Sequence, residues 1–263
     1  MKKNISMIVI AFGMVFAMNA QEKTAAGLYN EGLALLKEKN YADGLVILEE
    51  ALVKAEADEN EKVIKLSKKN GSVAAANLGN AKRKEGAMDE AMAYYEKGLE
   101  MNPENPSNYR GIAMVLDKQG DKLKAIEQYL IAADKRIAQE KMDKAKKIYK
   151  KTKSIVGKLY TSKKYDDAVA AAALHLEKDP SNPDVHYYAS RANTELGNFD
   201  AALDHADQAI SNAGDEVEDK FYIAKAKALV GKGDKAGAIE AYKMVTGDKY
   251  KESAQYQISQ LEK

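Results

Sequence analysis

Ser72–Asn105 reads SVAAANLGNAKRKEGAMDEAMAYYEKGLEMNPEN, thirty-four residues that hold two helical patterns back to back. In the first, a run of small residues leads into Leu78–Gly79, and Glu85–Gly86–Ala87 breaks the pattern. In the second, Ala91, Tyr95, Gly98 and Leu99 fall on one face, and Asn102–Pro103 ends it. Two helices of this length cannot bury their apolar faces alone, so the stretch predicts neighbours of its own kind.

The neighbours are present on both sides. Residues 25–58 carry Leu28, Leu33, Leu35 and Leu36 on a first helix, a turn at Asn40–Tyr41, and Leu45, Leu48, Ala51 and Leu52 on a second. Further pairs are predicted over 106–139, 149–182, 183–216 and 219–250, with turns at Gly120–Asp121, Lys164–Tyr165, Gly197–Asn198 and Gly233–Asp234. Pro106 stands at a helix start, where its missing N–H costs nothing. The charged segments 58–71 and 140–148 read as added helical turns. A break is expected near Asn70–Gly71, because glycine suits a helix end. The amphipathic segment 250–262 reads as a cap over the open end of a stack.

Aligning the pairs on the small residue early in each second helix gives Gly44, Ala91, Ala125, Ala168, Ala202 and Ala238, at intervals of 47, 34, 43, 34 and 36. Two intervals equal 34, and the larger surpluses fall where the charged extensions lie. A two-helix period of 34 resembles the tetratricopeptide repeat family, whose pattern places an aromatic, Leu-Gly, Tyr, Ala, Phe/Tyr and Pro at fixed offsets. The second pair answers with Ala75, Leu78–Gly79, Lys82, Ala91, Tyr95 and Pro103, and the third with Tyr109, Ile112–Ala113, Leu116, Ala125 and Tyr129. The sixth keeps Tyr222, Ala226, Leu229, Ala238 and Tyr242, with Lys225 in place of the Leu. The resemblance implies an all-α, right-handed superhelix (an α-solenoid) of about six antiparallel helix pairs with a C-terminal capping helix. Small residues such as Gly79, Ala91 and Ala113 would let helices approach, and Tyr95, Tyr129 and Tyr242 would fill the space between pairs.

Chemistry is absent from the motifs. There is no Cys, no HExxH, no GxGxxG or GxxxxGK[ST], and no GxSxG. His175, His186 and His205 are too scattered in sequence to define a metal site, and the carboxylates are interspersed with lysines at helical spacing. The expectation is a protein that is not an enzyme, with no catalytic residue, no metal and no cofactor.

Composition agrees with a helical scaffold: 31% charged residues, no Trp and four Pro in 263 residues. Residues 1–20 have the layout of a secretory signal peptide: Lys2–Lys3, an apolar run over Ile5–Met18, and Ala20 before polar Gln21. It resembles the signals of the bacterial Bacteroidetes group, so export to the periplasm or envelope is expected, with no transmembrane span in the mature chain. Its removal would leave 39 basic and 40 acidic side chains, a balance that argues against nucleic acid as a partner.

What remains is a surface. In the resembled family the first helix of each pair lines a concave groove. The matching positions here include Asn77, Asn80, Arg83 and Lys84, then Arg110, Met114, Asp117 and Lys118, then Lys150, Lys153 and Tyr160. Asp184, Tyr187, Tyr188, Arg191 and Glu195 follow, with Lys220, Ile223 and Lys227 in the sixth pair. Bases outnumber acids, and Arg and Tyr suit binding hot spots. The groove is therefore expected to bind another protein through an extended, acidic segment, with Asn77, Asn80, Arg83, Lys84, Arg110, Met114, Lys153, Tyr187, Tyr188, Arg191 and Lys227 as contacts. The alternative is a small ligand or glycan held in the same groove. One variant of the family clamps a C-terminal carboxylate with Lys, Asn and Arg side chains. Here Asn80 and Lys150 fit that set, whereas Ala76, Gly111 and Ser154 do not.

Overall fold

The computed structural model describes residues 23–215 and 217–263, and the predicted signal segment lies outside them. The described residues form thirteen helices and no strand. Six antiparallel pairs follow one another: α1 (Ala25–Lys37) with α2 (Tyr41–Ala57), α3 (Glu61–Glu85) with α4 (Met88–Met101), α5 (Pro106–Gln119) with α6 (Lys122–Ala138), α7 (Met142–Thr161) with α8 (Tyr165–Leu176), α9 (Pro183–Glu195) with α10 (Phe199–Asn212), and α11 (Asp219–Lys232) with α12 (Lys235–Lys243). A last helix, α13 (Asp248–Leu261), packs on α12 and closes the stack. No helix among the described residues is long and apolar enough to cross a membrane.

Short polar turns separate the helices. Asn40, Asn60, Asn105, Asp121, Asn182 and Asp234 each accept a hydrogen bond from a backbone N–H in the turn that follows. Gly86, Gly120 and Gly233 end helices in the left-handed conformation, at φ 91°, 98° and 84°. Lys39, Glu59, Glu140 and Lys163 adopt the same region without being glycine, at φ 64°, 52°, 58° and 59°. The turns at Glu59 and Glu140 come just before the two longest helices, α3 and α7, of 25 and 20 residues.

Both charged extensions lengthen first helices. The break expected near Asn70–Gly71 does not occur, and α3 runs through it. Gly71 is buried there because a side chain crosses it: a Cβ at Gly71 would stand 2.2 Å from Met101 Cε, brought over from α4. The glycine marks a close approach, not an end.

The packing follows the alternation of small and large. Ala91, Ala113, Ala125, Ala168, Ala202, Ala226 and Ala238 are buried without residual exposure, and Tyr95, Tyr129 and Tyr242 are buried between pairs. The largest cluster joins pairs three to five through Ile126, Tyr129, Ile155, Val156, Leu159 and Val185. A polar knot ties α3, α4 and α5: Ser72 Oγ donates to Gly98 O (2.6 Å) and accepts from Asn105 Nδ2 (3.0 Å) and Asn108 Nδ2 (2.9 Å).

Candidate functional site

The first helices form one continuous series at most joints. α1 packs on α3, α3 on α5, α7 on α9 and α9 on α11. Between the third and fourth pairs this changes: α5 and α7 stand apart, and the second helices α6 and α8 pack on each other instead.

The residues expected to meet a partner lie along this series, with different degrees of freedom. On α3, Asn77 Nδ2 donates to Val73 O (2.8 Å) and Asn80 Oδ1 accepts from the Tyr95 hydroxyl (3.0 Å). Arg83 is half-buried and Lys84 exposed. Arg110 is exposed on α5 and Met114 half-buried beneath it. Burial, reinforced by Asp117, pushes the Tyr129 phenol up to about 12, although the guanidiniums of Arg110 and Arg83 pull the other way. Those two arginines therefore share the field around one buried ring.

Two carboxylates bridge neighbouring first helices. Asp117 of α5 accepts from Lys122 Nζ (2.7 Å) and from Lys151 Nζ of α7 (2.8 Å). Asp184 of α9 accepts from Lys153 Nζ of α7 (2.6 Å) and Lys220 Nζ of α11 (2.7 Å). Burial raises both carboxyls, but the paired lysine hydrogen bonds outweigh it and hold each below its ordinary value. Each acid is shared by two ammonium groups; one positive charge stays uncompensated around Asp117, whereas Lys220 beside Asp184 also pairs with Glu218 at 2.8 Å.

Farther along, the Arg191 guanidinium stacks over the Tyr160 ring (5.4 Å) and the Tyr187 ring (6.0 Å), and Lys227 is exposed on α11. Tyr187 packs against Tyr188 and Phe221, with centroids 5.3 and 5.9 Å away. Tyr188 covers Gly157, where a Cβ would lie 2.8 Å from its Cζ. Its ring belongs largely to the joint between α7 and α9. The clamp positions Ala76 and Gly111 are buried, and Gly111 faces the Tyr95 ring.

The joint between α5 and α7 holds a cavity of about 490 Å³. Arg110 and Met114 line it from α5, while Tyr129 and Arg136 come from α6. The α7 wall supplies Lys144, Lys147, Ile148 and Lys151. The basic residues from α6 and α7 were not among the expected contacts. Arg136 sits on a second helix, and Lys144 and Lys147 lie in the extension. A signal for them does exist: seven lysines fall between residues 141 and 153, against the single acid Asp143.

The histidines pack internally. His186 Nε2–H donates to Pro180 O (2.9 Å), which leaves its Nδ1 to accept from His205 Nδ1–H at 3.0 Å. His175 Nδ1 lies 2.7 Å from Thr152 Oγ1, fully buried. No group of three metal-ligating side chains occurs among the described residues.

Stacked helix pairs in sequence register, with polar and charged residues along the first helices, define an α-helical solenoid. Residues 74–105 and 159–217 match models of the tetratricopeptide repeat. The chain is a tetratricopeptide repeat protein. Its sequence is 29% identical over 108 residues to the photosystem I assembly protein Ycf3 of Rippkaea orientalis, covering 41% of this chain and 57% of that one. It is 33% identical over 114 residues to Ycf3 of Prochlorococcus marinus, covering 43% and 60%. The match thus spans little more than half the length of these relatives. Among solved structures it is similar to the TPR2AB domain of yeast Sti1 in complex with an HSP90 peptide, at 15% identity, TM-score 0.40 and 91% and 98% coverage. PilF of Pseudomonas aeruginosa gives 18% identity, TM-score 0.39 and 91% and 97% coverage. At such scores these two similarities say nothing about partners.

Proposed function

We propose that the chain is a non-enzymatic scaffold or adaptor of the bacterial cell envelope, which binds an extended, acidic segment of another protein along its inner face. The observation that carries this reading is the charge left over there. Among the described residues Arg83, Arg110 and Arg191 have no carboxylate ion-pair partner, and Asp117 is shared by Lys122 and Lys151. A face with surplus cations beside half-buried Met114 and Tyr187 suits a partner that brings both carboxylates and apolar groups. The tetratricopeptide repeats support protein binding as the general role. The assembly role named for the cyanobacterial relatives is of the same kind. The basic, apolar and polar order of residues 1–20 supports export.

The experiment is crosslinked affinity capture by the chain from Gln21 onward, using the envelope fraction of its own cells, followed by binding of the captured segment at rising salt. Weakening with salt is the expected result. An affinity that does not change from low to high salt refutes the electrostatic part.

A further inference from the structure

The opening between α5 and α7 has an unusual balance of charge. Five cations line it: Arg110, Arg136, Lys144, Lys147 and Lys151. Of these, Lys151 alone has a carboxylate partner among the described residues, Asp117, which is already shared with Lys122. Arg136 donates to the Ser107 hydroxyl at 3.2 Å, and among the described residues Arg110, Lys144 and Lys147 have no ion-pair partner. Burial and the nearby Arg110 charge push the Arg136 guanidinium below its ordinary value, so the like charges on this wall are close enough to disfavour one another. The floor is apolar, made by Met114, Tyr129 and Ile148. The Asp117–Lys151 bridge joins the two helices across the opening. A volume of about 490 Å³ exceeds what a single small ion needs and lies within the range of binding pockets.

We propose that this cleft is the anchor subsite of the groove: it takes one bulky apolar side chain of an acidic partner segment onto Met114, Tyr129 and Ile148, with the flanking carboxylates paired to Arg110 and Arg136 on one wall and Lys144 and Lys147 on the other. The proposal rests on the scaffold reading above and adds the place and the local chemistry of recognition. Charge complementarity selects the acid. The apolar floor, which neither a free anion nor a uniformly polar chain would cover, selects the bulky side chain.

The probes are fluorescent peptides, acetylated and amidated so that no terminal charge contributes: Gly-Glu-Glu-Phe-Glu-Glu-Gly, and the same peptide with Ala for Phe. Anisotropy with the chain from Gln21 onward should show the Phe peptide binding about tenfold more tightly than the Ala peptide. Lys144→Ala/Lys147→Ala removes two exposed side chains, and circular dichroism checks that it stays folded. It should weaken the Phe peptide about tenfold, and Lys235→Ala, which removes an exposed lysine of the second helix α12, should leave it within about twofold. Equal binding of the two peptides, or no effect of the Lys144/Lys147 pair, overturns the anchor. If Lys227→Ala or Arg191→Ala weakens binding in its place, the groove reading stands and only the location falls. If neither peptide binds, the anchor is refuted, and envelope capture decides the broader reading separately. A sulfated oligosaccharide that binds more tightly than the Phe peptide, and is weakened by the same lysine pair, overturns the peptide assignment.

Discussion

Gly111→Ala should destabilise the stack at the joint between α3 and α5. A Cβ at Gly111 would stand 2.2, 2.4 and 2.5 Å from three atoms of the Tyr95 ring, where ordinary contacts lie at 3.4–4 Å. The ring cannot withdraw. On its other side a Cβ at Gly79 would already be 2.6 Å from it, and its hydroxyl is tied to Asn80 Oδ1 at 3.0 Å. Relief therefore requires α3 and α5 to part, with their Tyr95-centred packing. Overpacking of this kind costs about 1–3 kcal/mol, and the rigid, doubly confined ring places this case at the upper end. Alanine returns up to about 1 kcal/mol through its better helix propensity. The net loss is about 2 kcal/mol, or roughly 4–8 °C in Tm for a chain of this size. Because a repeat stack unfolds through its joints, the denaturant transition should also broaden. In a Tyr95→Leu background the Gly111→Ala penalty should disappear, leaving a coupling energy of at least about 1 kcal/mol in the double-mutant cycle. A Gly111→Ala protein as stable as the parent would refute the reasoning.

Gly71→Ala makes the opposite test, since its clash is with the mobile end of Met101; stability should change by less than about 1 kcal/mol, and a large loss would show that α3 needs glycine for its backbone at that point. Lys163→Gly relieves a left-handed lysine at φ 59° and should raise stability by about 1 kcal/mol in urea unfolding. Asp184 has a depressed folded pKa, so its contribution is present above about pH 4 and is lost as pH falls through the folded value. Asp184→Asn should cost about 1 kcal/mol at neutral pH and flatten the acid limb of Tm against pH. Burial, then the His186 charge, push the His205 imidazole down, so stability should fall as pH drops from about 6.5 toward its folded pKa. His205→Gln should show a smaller loss between pH 7.5 and 5.5, and an identical loss would exclude this histidine as a contributor.

The fold was legible because its signals are repeated and local. Ala91, Ala125, Ala168 and Ala238 sit where a two-helix period needs small residues, and each is fully buried. Single residues that serve two purposes misled. Gly71 in a helix interior and Gly86 at a helix end are the same letter, and only the approach of Met101 tells them apart. Lys39, Glu59, Glu140 and Lys163 carry no preference for the left-handed region, so those turns gave no signal of their conformation. Along the inner face, Arg110 and Met114, read from the register of the first helices as partner contacts, line the cavity between α5 and α7. That register did not find Arg136, Lys144, Lys147 or Lys151, because their convergence depends on α7 standing away from α5, which is a tertiary displacement. Tyr188 suits a partner contact by residue type, yet Gly157 leaves a space that its ring fills.

The central claim is that surplus positive charge on the inner face selects an acidic protein partner. The most direct measurement is quantitative capture from the envelope fraction by the parent chain and by a folded Arg83→Glu/Arg191→Glu variant. The account predicts a partner with an exposed acidic segment that the parent retains and the reversed protein loses. Equal recovery by both proteins, or no partner above background with the parent, would contradict it.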